Sequence, residues 1–262
     1  MSKKNQLKEI HISGKSYAIY KSTNGFDLYT DFSKKIILNN KNIYSFLNKK
    51  RIRKKLKHTD LFIGFFGYEL LNNLIGIKVP KQKSINFPKG IFYKPEKKIS
   101  YSNNLVNYKA DKVKLKKKFK ININRKSYTK IFDKFKKKIK SGETYQIKIC
   151  TKYKLKSAID PLDFFCRLSK TNLAPEAFMI RDKDYSIISC SPENLITKKG
   201  SLITTKPIAG TVRKNKRMNK IKALSYFRNN HKETKEHNMI VDMERSDMSR
   251  ICKVGTVKLS KE

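Results

Sequence analysis

Cysteine is sparse in this chain, and its four copies stand at no CxxC or Cys/His spacing that would hold zinc. Cys150, Cys166, Cys190 and Cys252 each sit inside an apolar or alternating segment, which suits buried free thiols rather than a disulfide framework. A thiol nucleophile is the sharper reading of the same residues. Long apolar runs are also missing: nothing approaches the ~20 residues that a spanning helix needs. The opening MSKKNQLKEIHISGK is basic but has no apolar h-region or small-residue cleavage site. No secretory signal or membrane span is read, and a cytoplasmic location is expected.

Acidic residues are scarce too. Against 62 Lys and Arg stand 21 Asp and Glu, giving a formal net charge of +41 over 262 residues. One reading of that excess is nucleic-acid binding, because lysines that neutralise phosphates release counterions. The favoured reading is lysine spread over solvated faces. The basic runs at 34–35, 49–57, 112–120, 134–140 and 214–222 are scattered, with no aromatic-interleaved RNA motif beside them. What remains, 38% hydrophobic residues, is enough for a sizeable core in one large domain or two small ones.

Short alternating segments such as Tyr17 to Tyr20 and Phe26 to Tyr29, broken by Gly14 and Gly25, predict strands near the start. Residues 39–57 read as a helix with Ile43, Phe46 and Leu47 turned inward. In LFIGFFGYE, Gly64 and Gly67 interrupt a buried strand and imply a bulge or the close approach of another backbone. Leu70 to Ile75 then continues as a short helix. Pro80, Pro88 and Pro95 punctuate an extended loop or edge region, and Lys97 to Tyr108 reads as a further strand pair.

Residues 111–125 form a basic, linker-like stretch. Ser127 is expected to cap a helix whose Tyr128, Ile131, Phe132, Phe135 and Ile139 share one face, with Ser141-Gly142 ending it. From Glu143 to Leu155 the pattern alternates, Tyr145, Ile147 and Ile149 on one face and Gln146, Lys148 and Cys150 on the other. Asp160-Pro161 starts a helix that buries Leu162, Phe165 and Cys166. Two strands, Ala177 to Ile180 and Tyr185 to Cys190, joined at Asp182 to Asp184, follow it. Helices are also read at Ile221 to Phe227 and Glu233 to Met243.

The chain is organised around residues 189–211, where SCSPENL is followed, after a Lys199-Gly200 turn, by TTKPIAGT. Apolar pairs lead into each run, so the two read as strands of one hairpin that sets a carboxylate beside a glycine loop. Gly210 can bring bare backbone N–H groups close to an anion, Thr211 adds a hydroxyl, and Glu193 supplies a proton-transfer group. Strings of this kind are also ordinary turns, and the residues alone leave both readings open. Further on, Glu233, Glu236, His237 and Ile240 share one helical face. That face is either solvated or suited to a hard ion such as Mg²⁺, which takes oxygen ligands and keeps several waters.

SPE, PIAGT and KEHNMIVDMERSDMSRIC, in that order, resemble the chorismate-utilising enzymes, specifically anthranilate synthase component I and aminodeoxychorismate synthase component I. GFFGYEL resembles a passage in their N-terminal part. The resemblance implies an α+β fold in which helices flank two facing antiparallel-rich sheets. It implies three segments: a component I N-terminal region at 1–110, a basic linker at 111–126, and a partial chorismate-binding domain at 127–262. It also implies roles. Glu236 would ligate Mg²⁺, which holds the ring carboxylate of chorismate; Glu193 would be the acid that assists departure of the ring hydroxyl. Ala209, Gly210 and Thr211 would lie against the substrate, and His237 matches a histidine linked with the later pyruvate elimination. Glu233 would stand just behind the metal.

Two positions separate relatives within that family. Isochorismate and salicylate synthases carry a water-activating lysine where this chain has Gln146, and a glutamine is no base. Many aminodeoxychorismate synthases carry a nucleophilic lysine where Ala209 stands, so ammonia attacking the ring directly is favoured. With no GxCxG nucleophile string present, the ammonia is expected from a separate glutamine amidotransferase subunit. Glu176 occupies a position where tyrosine is usual, and no LLES-like string occurs near the start, so tryptophan feedback gains no support. The family continues beyond the GSV-like Gly255-Thr256-Val257 into a segment with further metal-ligating glutamates. The resemblance therefore implies a chain truncated at its C-terminus and inactive alone.

Overall fold

The computed structural model describes residues 3–48, 60–70, 74–76, 87–102, 119–155, 157–213, 215 and 218–260. They divide into two compact units, Met1–Asn107 with Phe165–Glu262, and Tyr108–Phe164. The class is α+β, and every strand pair among the described residues is antiparallel.

The first unit is built on a six-stranded sheet of order β3-β4-β2-β1-β7-β8. Its strands are β1 (Tyr17–Ser22), β2 (Gly25–Ile37), β3 (Ile63–Phe66), β4 (Gly90–Ser102), β7 (Glu176–Arg181) and β8 (Ser186–Ser191). Successive side chains of a strand point to opposite faces, so a run of buried residues means that both faces are covered. Tyr17, Ala18 and Ile19 of β1 are all fully buried, as is Leu28, with Tyr29 and Thr30 nearly so. One cluster joins Ala18, Tyr29, Ile63, Ile91, Tyr93 and Ile180; a second joins Leu38, Ile43, Leu70 and Phe92.

One helix here was not expected, and the readings around Pro95 and Lys97 change. Helix α1 (Lys3–Ile12) was not legible, because its apolar residues are too few to mark a face, yet Leu7 is fully buried and His11 Nδ1 lies 2.8 Å from the Tyr17 hydroxyl. Pro95 lies inside β4 and not in a loop, facing Phe32 at the point where the β2 register shifts and a ladder N–H is dispensable. Residues 97–102 belong to that one long strand, and 103–110 lie outside the described residues. Of the helix read at 39–57, α2 (Ile43–Leu47) is described and 49–59 lie outside; of that read from Leu70 to Ile75, residues 71–73 do.

Gly64 and Gly67 do mark a close approach. A Cβ on Gly64 would stand 1.9 Å from the Ile91 carbonyl oxygen, and one on Gly67 2.3 Å from that of Lys89. No side chain fits between those strands.

The second unit holds a two-stranded ribbon, β5 (Lys120–Ile121) with β6 (Tyr153–Lys154), and α3 (Arg125–Lys140). Asn124, not Ser127, caps α3: its Oδ1 accepts the Ser127 N–H at 2.8 Å, which makes Ser127 the third helical residue. The apolar stripe of α3 forms as read, but none of its residues is buried. Residues 146–151 keep the alternation, with Ile147 and Ile149 less exposed than Gln146, Lys148 and Cys150, but pair with no strand among the described residues. Helix α4 (Pro161–Thr171) opens on Asp160, whose Oδ1 accepts the Asp163 N–H at 2.8 Å, and buries Leu162, Phe165 and Cys166. A ribbon of β9 (Thr197–Lys199) and β10 (Leu202–Thr204), then α5 (Lys220–Asn229) and α6 (His231–Ser249), complete the first unit. Among the described residues no helix is long and apolar enough to cross a membrane.

Candidate functional site

The two runs that read as one hairpin go to different sheets. Strand β8 pairs with β7, while the Lys199-Gly200 turn closes β9 onto β10. The reason lies in the SPE turn between them. The Ser191 hydroxyl donates to the Glu193 carbonyl at 2.9 Å and accepts the Glu193 N–H at 3.3 Å, folding the chain around Pro192. Asn194 Nδ2 then donates to Glu176 Oε1 at 3.1 Å, and its Oδ1 accepts the Thr197 hydroxyl at 2.9 Å. Glu176, the residue that departs from the usual tyrosine, thereby holds the turn.

Beyond β10 the chain returns along the turn. Thr205 donates its hydroxyl to Glu244 Oε2 at 2.6 Å, fixing the loop to α6. Three residues later the Ile208 N–H donates to Glu193 Oε1 at 2.9 Å. The acid and the glycine loop therefore meet as expected, though by a side-chain contact and not by strand pairing. Gly210 has φ +44°, and a Cβ there would stand 2.2 Å from Glu233 Oε2 and 3.1 Å from Phe227 Cε1. Its bare backbone is what lets the Glu233 carboxylate lie against the loop.

Helices α5 and α6 meet at Asn230, whose side chain accepts the Glu233 N–H at 3.3 Å. Glu233 thus occupies the first turn of α6, where the helix dipole favours a negative charge. Glu236, half-buried, lies three residues on and shares its face; His237 is exposed. Among the described residues no group of three or more His, Cys, Asp and Glu is gathered as a metal site. Two carboxylates one turn apart still suit a hard divalent ion that completes its shell with water or substrate oxygens.

Of the residues singled out from the sequence, Glu193, Ala209, Gly210, Glu233 and Glu236 fall on this connected set of turn, loop and helix. Thr211 follows Gly210 and is exposed, and Gln146 is an exposed residue of the second unit. Thr205 and Glu244 were missed. The α6 periodicity was read only as far as Met243, one residue short of Glu244, and the helix continues to Ser249.

Residues 8–262 match the family model described as chorismate binding enzyme. Aminodeoxychorismate synthase component 1 of Bacillus subtilis is 33% identical over 51% of this chain and 28% of its own length. Anthranilate synthase component 1 of Mycolicibacterium smegmatis is 35% identical over 50% of this chain and 26% of its own. That of Archaeoglobus fulgidus is 28% identical over 77% and 51%. The fold is similar to the crystal structure of anthranilate synthase component I from Streptococcus pneumoniae TIGR4, with a TM-score of 0.62 and 21% identity over 89% of this chain and 59% of that one. The chain thus spans about a quarter to a half of the length of these curated relatives. With the family model covering nearly every residue, the chain belongs to the chorismate binding enzyme family.

Proposed function

We propose that this chain contributes to a site where chorismate is aminated by ammonia and then loses pyruvate, the reaction of anthranilate synthase component 1. The observation that carries the reading is the Glu193 to Ile208 hydrogen bond, which sets the SPE acid against the PIAGT loop. Hydroxide is a poor leaving group at neutral pH, so Glu193 gives a proton to the ring hydroxyl as its C–O bond breaks and water departs. With Oε1 held by Ile208, that proton travels through Oε2.

The loop from Ala209 to Thr211 cradles the substrate with backbone N–H groups and one hydroxyl. Glu236 would hold Mg²⁺, with Glu233 beside it; the ion, when bound, neutralises and orients the ring carboxylate of chorismate. His237 serves proton transfer in the later loss of pyruvate. Ala209 offers no amine to attack the ring, so the nitrogen comes as ammonia from a glutamine amidotransferase subunit, in the cytoplasm. Gln146 offers no base to activate water in its place.

Equilibrium titration with chorismate, with and without Mg²⁺, tests this reading. Binding that needs Mg²⁺ and falls at least tenfold in Glu236→Gln supports it; equal binding by the two proteins contradicts it. The 33% identity to an aminodeoxychorismate synthase component 1 favours a second reading. Product decides between them: an ortho-amino aromatic, or a para-amino compound that keeps its enolpyruvyl group.

A further inference from the structure

A second polar centre lies at the other end of the β7–β8 hairpin from Glu193. Asp182 directly follows β7, whereas Glu193 follows β8, and the five residue steps between the ends of their ladder span roughly 17 Å. The Asp182 carboxylate is buried and accepts from four donors: Lys35 Nζ at 2.6 Å, the Lys183 N–H at 2.7 Å, the Ser16 hydroxyl at 3.0 Å, and the Tyr93 hydroxyl. Burial alone would push this carboxyl up; the Lys35 ammonium, the Tyr93 hydroxyl, the Lys183 N–H and the Ser16 hydroxyl outweigh it and hold the group below the usual carboxylate range. Lys35 and Tyr93 are thereby fixed in place.

Above them opens a cleft of about 510 Å³, walled by α1, the Lys15-Ser16 turn, β2 and β4. Strand β2 breaks its register against β4 here, between Phe32 and Lys34, and Asp31 has φ +54°, a left-handed conformation rare outside glycine. Bulges and strained residues of this kind re-aim side chains where a surface is used. Phe32 stacks on Tyr93 with ring centroids 4.8 Å apart, so the two rings engage each other. Recognition is left to the ammonium groups of Lys15 and Lys97 and to the Thr30 hydroxyl, with Lys35 paired to Asp182 and the Ser16 proton given to it; Asp31 lines the cleft and the buried Asp182 lies beneath it.

We propose that this cleft is a binding site for a small oxyanion, separate from the Glu193 site and independent of the function proposed for it. Phosphate and carboxylate share that chemistry. Calorimetric titration of the full chain at ~0.15 M salt, an ionic strength that screens diffuse surface charge, uses inorganic phosphate in one arm and succinate in the other. Saturable binding in either arm names the source and supports the site. Lys15→Gln/Lys97→Gln should weaken it about tenfold, while Asp31→Asn, which tolerates the left-handed backbone, should tighten it about threefold. A control pair on α3, Lys130→Gln/Lys134→Gln, should leave it unchanged. An absence of saturable binding in both arms overturns the proposal, as does an equal loss in the control pair.

Discussion

Glu193 Oε1 accepts the Ile208 N–H at 2.9 Å across fifteen residues of sequence. This contact joins the SPE turn to the PIAGT loop. Glu193→Ala removes the acceptor and should cost about 1 kcal/mol, the usual net worth of one partly exposed hydrogen bond. Glu193→Gln keeps an acceptor oxygen and should cost less than about 0.5 kcal/mol. Urea denaturation of the three proteins checks the ordering, and equal losses for Ala and Gln would show the contact to be idle.

Two glycines should respond differently to alanine. At Gly64 the new methyl meets the Ile91 carbonyl at 1.9 Å, backbone against backbone within the sheet, so Gly64→Ala should cost about 3 kcal/mol or more. At Gly210 the obstacle is the end of the flexible Glu233 side chain, which can swing away, leaving mainly the φ +44° penalty of about 1 kcal/mol. Gly210→Ala should therefore lower affinity for chorismate and Mg²⁺ more than it lowers stability. Thermal unfolding beside ligand titration separates the two effects.

Acid should weaken the fold through Asp182. Its carboxyl is held below its ordinary value, so the stabilisation is full above the unfolded value of ~3.9 and is lost as pH falls through the depressed folded value. Asp182→Asn should cost about 2 kcal/mol at pH 7, and the gap to the parent should narrow below about pH 4. A gap that stays constant down to pH 3 contradicts this assignment.

On the alkaline side, burial first and Asp182 after it raise the Tyr185 phenol, which is pushed up to about 12; its hydroxyl lies 3.0 Å from that of Tyr93, whose own proton goes to Asp182. The neutral phenol is the form that the fold favours. Its contribution is full below the ordinary ~10 and is lost as pH rises through about 12. Tyr185→Phe should shed this part of the alkaline destabilisation. Unfolding followed between pH 9 and 12 measures it, and identical curves would remove Tyr185 from the account.

Much of this is legible in the amino-acid sequence. Gly64 and Gly67 announced a backbone approach because only a missing side chain explains glycine in an apolar strand, and Asp160-Pro161 announced the start of α4. The SPE and PIAGT runs announced a carboxylate beside a glycine loop. The join of β7 to β8 at Asp182 to Asp184 was legible, but β8 is equally apolar whether or not it also joins β10, and the Ser191 turn that separates them was not legible. The alternation from Glu143 to Leu155 is legible, yet a strand also needs a neighbour, and within it only Tyr153–Lys154 has one among the described residues. The Asp182 cluster was invisible because Ser16, Lys35, Tyr93 and Asp182 are far apart in sequence and ordinary in isolation.

The net charge of +41 makes its own prediction. Retention of duplex DNA should be appreciable at ~50 mM salt and gone by ~200 mM, without sequence preference, as diffuse phosphate neutralisation requires. Sequence-selective binding that survives physiological salt would point to a dedicated nucleic-acid surface instead.

In the proposed site Glu236, the Gly210 loop and Glu193 face one ligand. Mn²⁺ offered in place of Mg²⁺, with chorismate present, reads this directly by paramagnetic broadening of backbone amide signals. The amides around Glu233 and Glu236 should broaden, those of Ile208 and Gly210 should broaden with them, and the effect should vanish in Glu236→Gln. Broadening that spares both amides, or that persists unchanged in the variant, contradicts the account.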